Sequence, residues 1–124
     1  MADKIAWGGA SYSPDEQLIG TWADGKPLYQ KTIVCYAPAS ITVNTEYVIY
    51  TLPTDCVICG GEISRDRQQG SVTTYGSDSI VFHGSNETYD FKSVDGYKLV
   101  GSFQATGWAS SKFIITLRYT KTTD

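Results

Sequence analysis

Three cysteines and a single histidine are the side chains best suited to metal binding or nucleophilic chemistry in this chain. Cys56 and Cys59 have the C-x-x-C spacing, and Cys35 with His83 would complete a Cys3His ligand set. A closed zinc site usually takes two such pairs on turns. Here the one pair lies in an apolar run, and an extended strand would point its two sulfurs to opposite faces. No helix start follows Cys56 to lower its thiol pKa. We therefore expect buried structural thiols, with no metal and no cofactor.

Residues with the spacing of a catalytic site are equally sparse. His83 follows the apolar pair Val81-Phe82 and is expected to end a strand rather than to act as a base. The sequence has no G-x-S-x-G nucleophile elbow, no phosphate loop and no dinucleotide fingerprint. A glycosidase needs two carboxylates across a cleft, and the spacing of the glutamates selects no pair. The sequence predicts a protein that is not an enzyme and has no catalytic residues.

Tryptophans are candidate ligand contacts, because their rings can stack on sugars. Trp108 lies in the small-residue segment 105–111 and is expected to be the most exposed of the three tryptophans. It is therefore the candidate ligand-binding residue of this sequence. The alternative is that Trp108 closes the core just before the last strand.

Short strands and tight turns must position all of these groups. Aromatic residues make up 13% of the chain and include nine tyrosines, a composition that favours strands. Asp24-Gly25 and Asp95-Gly96 are hairpin signals, and segment 76–78 predicts a third hairpin. Ser13, Pro14 and Glu16 occupy the cap, first and third positions of a predicted short helical turn at residues 13–17. The polar residues 64–70 are predicted to form a solvated loop.

The last strand has the clearest pattern. Phe113, Ile115, Leu117 and Tyr119 alternate with more polar residues, which predicts one face turned to the core. About eight such strands, separated by turns every eight to twelve residues, are typical of an antiparallel β-sandwich or jelly roll. No linker or repeat divides the chain, so we expect one all-β domain over residues 1–124.

Charge and hydropathy exclude several classes of partner. The net charge is −3 and the basic residues are scattered, whereas nucleic-acid binding needs cations that converge on one surface. No run approaches the ~20 apolar residues of a transmembrane helix, so we expect no membrane insertion. Residues 1–6 lack the basic region and apolar run of a secretory signal peptide.

Two segments carry distinctive motifs. Residues 12–33 contain the pattern E-Q-x-x-G-T-W-x-D-G-K-P-x-Y-x-K-T, and residues 117–124 read L-R-Y-T-K-T-T-D. Together these segments resemble a module of tail-fibre and minor structural proteins from bacteriophages and prophages. Both segments occur in the order and at about the separation that this module has. Residues 34–112 carry no such resemblance. No catalytic residues are assigned in the family, so none is carried over to this chain.

The resemblance implies a virion protein that acts in assembly or in attachment to the host surface. Its partners would be other virion proteins, further copies of itself in a homotrimer, and a host-surface glycan. Synthesis in the bacterial cytoplasm followed by lysis would account for the missing signal peptide. The alternative is a stand-alone carbohydrate-binding module.

Overall fold

Antiparallel strands account for nearly all of the regular structure. The computed structural model describes residues 5–7, 10–65, 68–69, 81–82 and 88–124. In these residues it has eleven strands and one 3-10 turn, at Thr106–Trp108. The strands are β1 (Ile5–Trp7), β2 (Ala10–Tyr12), β3 (Gln17–Thr21), β4 (Pro27–Tyr36), β5 (Glu46–Thr51), β6 (Cys56–Arg65), β7 (Gln68–Gln69), β8 (Val81–Phe82), β9 (Tyr89–Val94), β10 (Lys98–Phe103) and β11 (Lys112–Lys121). None of the described residues belongs to a helix long and apolar enough to cross a membrane.

Two sheets pack face to face. One has five strands in the order β3-β4-β11-β6-β7, and the other has four in the order β5-β10-β9-β8. Strands β1 and β2 form a separate hairpin, and every strand pair is antiparallel. The predicted all-β sandwich is therefore confirmed. Eight of the eleven strands correspond to strands expected from the sequence, and the other three, β1, β2 and β7, have two or three residues each.

The core lies between the sheets and is built around the alternating face of β11. Phe113, Ile115 and Leu117 are fully buried, as the sequence pattern predicts. The Phe113 ring contacts Tyr89 and Phe91 of the opposite sheet, with ring centroids 5.1 and 5.0 Å apart. Edge and tilted contacts of this kind are the favourable geometries for aromatic rings. Aromatic packing thus joins the two sheets.

The two Asp-Gly hairpins are confirmed. Strands β3 and β4 are joined at Asp24-Gly25, where the amide of Trp22 donates to the carbonyl of Lys26 at 2.8 Å. Strands β9 and β10 are joined at Asp95-Gly96. The φ angles of Asp95 and Gly96 are 57° and 84°, in the left-handed region that such turns require and that aspartate and glycine tolerate.

Two local predictions were wrong. Residues 13–17 form no helical turn: Ser13 Oγ accepts the amide of Asp15 at 3.1 Å, but the chain then extends and Gln17–Thr21 pairs with β4. Strand pairing satisfies these backbone groups, so the capping pattern makes a turn before a strand instead. The loop expected at 64–70 is also partly wrong, since β6 continues to Arg65 and pairs with Gln68–Gln69. The hairpin predicted at 76–78 lies outside the described residues.

Replacing Gly101 with alanine is expected to destabilise the protein, because the core has no room for another methyl group. A Cβ at Gly101 would lie 3.1 Å from Ile49 Cγ1 and 3.2 Å from Phe91 Cε2. Overpacking of this kind costs roughly 1–3 kcal/mol of unfolding free energy, which urea unfolding measures. Gly107→Ala is the control, because a Cβ there would meet nothing within 4 Å. Equal unfolding midpoints for the two variants would contradict this account of the core.

Candidate functional site

The two segments that carry the family resemblance lie side by side in the five-stranded sheet. Residues 12–33 supply β3 and β4, and residues 117–124 supply the end of β11, which pairs with β4. Side-chain contacts then tie the segments together at one end of the sheet. The cluster formed by Glu16, Lys26, Tyr29, Tyr119, Lys121 and Asp124 is called the end cluster below.

Glu16 holds the centre of the end cluster. Its Oε1 accepts the hydroxyl of Tyr119 at 2.8 Å, and its Oε2 accepts Lys121 Nζ at 2.9 Å. Desolvation raises the pKa of the Glu16 carboxyl, but the hydrogen bonds from Lys121 and Tyr119 outweigh it, so the pKa is lowered overall. Burial and the bond to Glu16 raise the pKa of Tyr119. The carboxylate is therefore held ionised and the phenol neutral, which suits a structural contact rather than proton transfer.

Tyr29 extends the end cluster toward the end of the sequence. Its ring stacks on Tyr119 with centroids 5.9 Å apart, and Lys121 Nζ lies 4.4 Å from its centroid. The Tyr29 hydroxyl donates to Asp124 Oδ2 at 2.8 Å, and Lys26 Nζ donates to the carbonyls of Lys121 and Asp124. Each of these side chains is used to join one segment to the other.

The outer face of the same sheet carries a second set of contacts between the segments. Thr32 and Thr116 form a buried hydroxyl pair at 2.9 Å. Arg118 donates to Gln30 Oε1 at 3.0 Å and to Glu62 Oε1 at 2.6 Å. The side chains of the two resembling segments are thus used in contacts between strands.

The three cysteine thiols are buried. Cys35 lies on β4, and Cys56 and Cys59 lie on β6, where Cys59 is the extra residue of a β-bulge opposite Arg118 and Tyr119. Burial raises the pKa of Cys35 to about 12 and those of Cys56 and Cys59 to about 11. A thiol with so high a pKa is a poor nucleophile near neutral pH. His83, the fourth member of the Cys3His set, lies outside the described residues.

Trp108 packs against the core at the end of the 3-10 turn. Its ring lies edge-on to Tyr89 with centroids 4.8 Å apart and also contacts Phe113. The indole Nε1 donates to Thr88 Oγ1 at 2.8 Å. Trp108 is half-buried, so only part of its ring is open to a ligand. Of the other tryptophans, Trp22 is half-buried beside the first hairpin and Trp7 lies in β1.

A groove of about 330 Å³ lies on the outer face of the four-stranded sheet. Its lining combines two carboxylates, one ammonium, one hydroxyl and one apolar side chain. Lys92 Nζ contacts Glu46 Oε2 at 2.5 Å, and Val100 is only 5% exposed beneath them. The lining residues are Glu46, Asp90, Lys92, Val100 and Ser102.

None of the groove residues was singled out from the sequence. A signal did exist: Asp90 and Lys92 alternate with the core residues Tyr89 and Phe91, so they had to point outward. The Asp95-Gly96 turn then places β10 beside them, with Ser102 opposite Asp90. Glu46 could not have been placed in this way, because β5 joins the sheet from far away in the sequence.

Comparison with protein-family models, with curated proteins and with solved structures finds no match for this chain.

Replacing Glu16 with glutamine is expected to remove a pH-dependent part of the stability. Because the pKa of Glu16 is lowered from its usual 4.5, the ionised carboxylate stabilises the fold above that pH, and the contribution is lost as the pH falls below it. Its side chain is 40% exposed, so solvent screening limits the ion-pair contribution to no more than about 1 kcal/mol. Urea unfolding at several pH values between about 3 and 7 measures the difference.

Asp15→Asn is the control for Glu16→Gln, because it removes the same charge from an exposed neighbour. We expect the difference in unfolding free energy between wild type and Glu16→Gln to disappear at acid pH. Asp15→Asn should show no comparable difference from wild type. A gap for Glu16→Gln that stays constant down to about pH 3 would contradict the assigned role of the carboxylate.

The thiols are expected to resist alkylation in the native protein. Burial excludes the reagent, and the raised pKa values leave little thiolate at about pH 8. Mass spectrometry after treatment with iodoacetamide should find almost no modified cysteine in native protein and three modified cysteines in denaturant. Fast stoichiometric labelling of Cys56 or Cys59 in the native protein would show that the pair is accessible and reactive.

Proposed function

We propose that this chain is a non-catalytic structural module of a phage or prophage virion, associated with the tail or its fibres, that serves in assembly or host-surface attachment. It would be made in the bacterial cytoplasm and would reside in the virion. Its partners would be other virion proteins, copies of itself and a host-surface glycan.

One observation carries this proposal: the two segments that resemble the phage module form one bonded unit. They are separated by residues 34–116, yet Glu16 binds Tyr119 and Lys121, and Tyr29 binds Asp124. Their contacts supply a physical reason for the two motifs to occur together.

A non-catalytic role is supported by the state of the reactive side chains. The thiols are buried and their pKa values are raised to about 11 or 12. Among the described residues, no group of three or more histidine, cysteine, aspartate or glutamate side chains is arranged to hold a metal ion. The end cluster uses its charged groups in contacts between strands.

Particle analysis tests the virion role. Tailed particles released by lysis of the bacterium that carries the gene should contain the chain, detected by mass spectrometry after density-gradient purification. Antibody labelling in electron microscopy should then locate it on the tail. Purified tailed particles that lack the chain, with the protein recovered only in the soluble lysate, would overturn the proposal.

The second candidate is a stand-alone carbohydrate-binding module, and the groove on the four-stranded sheet favours it. The neighbouring genes distinguish the two. Tail, lysin and holin genes would support the virion role, whereas genes for glycan use would support the stand-alone module.

We further propose self-association, with a trimer as the expected state. Several large apolar side chains are exposed on the chain, among them Leu18 at 68% and Val48 at 62%. Covering them would remove apolar surface from water. Sedimentation equilibrium at micromolar concentration should give three times the chain mass of 13.6 kDa. A mass of one chain would contradict self-association of this protein by itself.

A further inference from the structure

The outer face of the four-stranded sheet brings together polar side chains from three neighbouring strands. Ser102 on β10 lies opposite Asp90 on β9 and opposite Glu46 on β5. With strands about 4.8 Å apart, the two carboxylates flank the serine hydroxyl in one row. Lys92 and Val100 form the next pair along the same two strands. This face presents a row of hydrogen-bonding groups beside an apolar floor.

From this arrangement we propose that the groove binds a neutral saccharide. Carboxylates accept hydrogen bonds from sugar hydroxyls, serine both donates and accepts, and the lysine ammonium donates to hydroxyl or ring oxygens. Val100 offers the apolar surface that the C–H face of a sugar ring needs. A few convergent polar groups over an apolar floor are the usual composition of a small-molecule site. Because none of the described residues that line this groove is aromatic, binding is expected to be weak for a single site.

The charges of the groove favour a neutral ligand over a charged one. Two carboxylates and one ammonium leave the lining with a net negative charge, which repels phosphate and sulfate groups. The net negative charge would attract a cation, but the Lys92 ammonium beside it would oppose one. Hydroxyl-rich, uncharged rings can hydrogen-bond to every polar group present and bring no further charge into the groove.

The ion pair across the groove can give way to a ligand at little cost. The Lys92 and Glu46 side chains are 42% and 55% exposed, and ion pairs between exposed side chains contribute little to stability. A sugar hydroxyl can therefore take the place of either partner. The same exposure means that substitutions at these positions should leave the fold intact.

The saccharide assignment rests on the proposed attachment role for its biological meaning, but its test uses the isolated chain. Failure to find the chain in virions would overturn the virion role and leave saccharide binding standing. A virion protein whose groove binds no saccharide would overturn only the assignment made here.

The experiment is a binding screen of the full chain against immobilised neutral oligosaccharides built from glucose, galactose, mannose and N-acetylglucosamine, run with and without EDTA. Calorimetry then gives the affinity for each oligosaccharide that binds. Asp90→Ala and Ser102→Ala should each weaken binding tenfold or more. Asp15→Ala makes the same change of charge as Asp90→Ala away from the groove and should leave affinity within twofold. Circular dichroism confirms that each variant is folded.

Three outcomes would overturn the proposal. The first is the absence of binding to any neutral oligosaccharide at millimolar concentration. The second is binding that Trp108→Phe abolishes and Asp90→Ala leaves unchanged, which would place the site at segment 105–111. The third is binding that disappears in EDTA, which would mean that Asp90 and Glu46 act through a cation.

Discussion

The buried hydroxyl of Tyr119 imposes the constraint on which the five-stranded sheet depends. Tyr119 is 2% exposed, and a polar group removed from water must be hydrogen-bonded or it costs free energy. Glu16 supplies the acceptor, which fixes the chain just before β3 against the end of β11. Because β11 pairs along most of its length with both β4 and β6, its position also fixes theirs. Phe113, near the beginning of β11, then packs against Tyr89 and Phe91 of the opposite sheet.

The sequence was sufficient to predict those elements whose signals are local. The alternation of apolar and more polar residues identified the core face of β11. The two Asp-Gly pairs located the hairpins, because aspartate and glycine tolerate the left-handed backbone of such turns. The capping pattern at residues 13–17 failed, since a serine that binds the amide two residues later serves a turn as well as a helix. What decided between them was the pairing of Gln17–Thr21 with β4, which a local pattern does not contain.

The candidate groove was less predictable for a related reason. Asp90, Lys92 and Ser102 follow from alternation and from one hairpin, so their shared face is readable once the turn is known. Glu46 lies in the groove because β5 pairs with β10, although the two strands are about fifty residues apart in the sequence. Long-range pairing of this kind depends on how the aromatic core packs, and no local sequence pattern predicts it. Trp108 lies in a segment of small residues and packs against Tyr89, a contact with another strand that the local sequence does not contain.

The two sheets divide the contacts between the two resembling segments from the groove that we propose to bind a saccharide. Residues 12–33 and 117–124 build β3, β4 and the end of β11, and their side chains are used in holding those strands together. All five groove residues, by contrast, lie within residues 34–112, where no resemblance is found. The contacts of a scaffold restrict its residues closely, since losing one partner leaves the other unsatisfied. Side chains on an outward face that contribute little to stability can vary with the ligand. Under the proposed function, a resemblance confined to the scaffold is what this division of the fold predicts for a module that keeps one framework and changes what it binds.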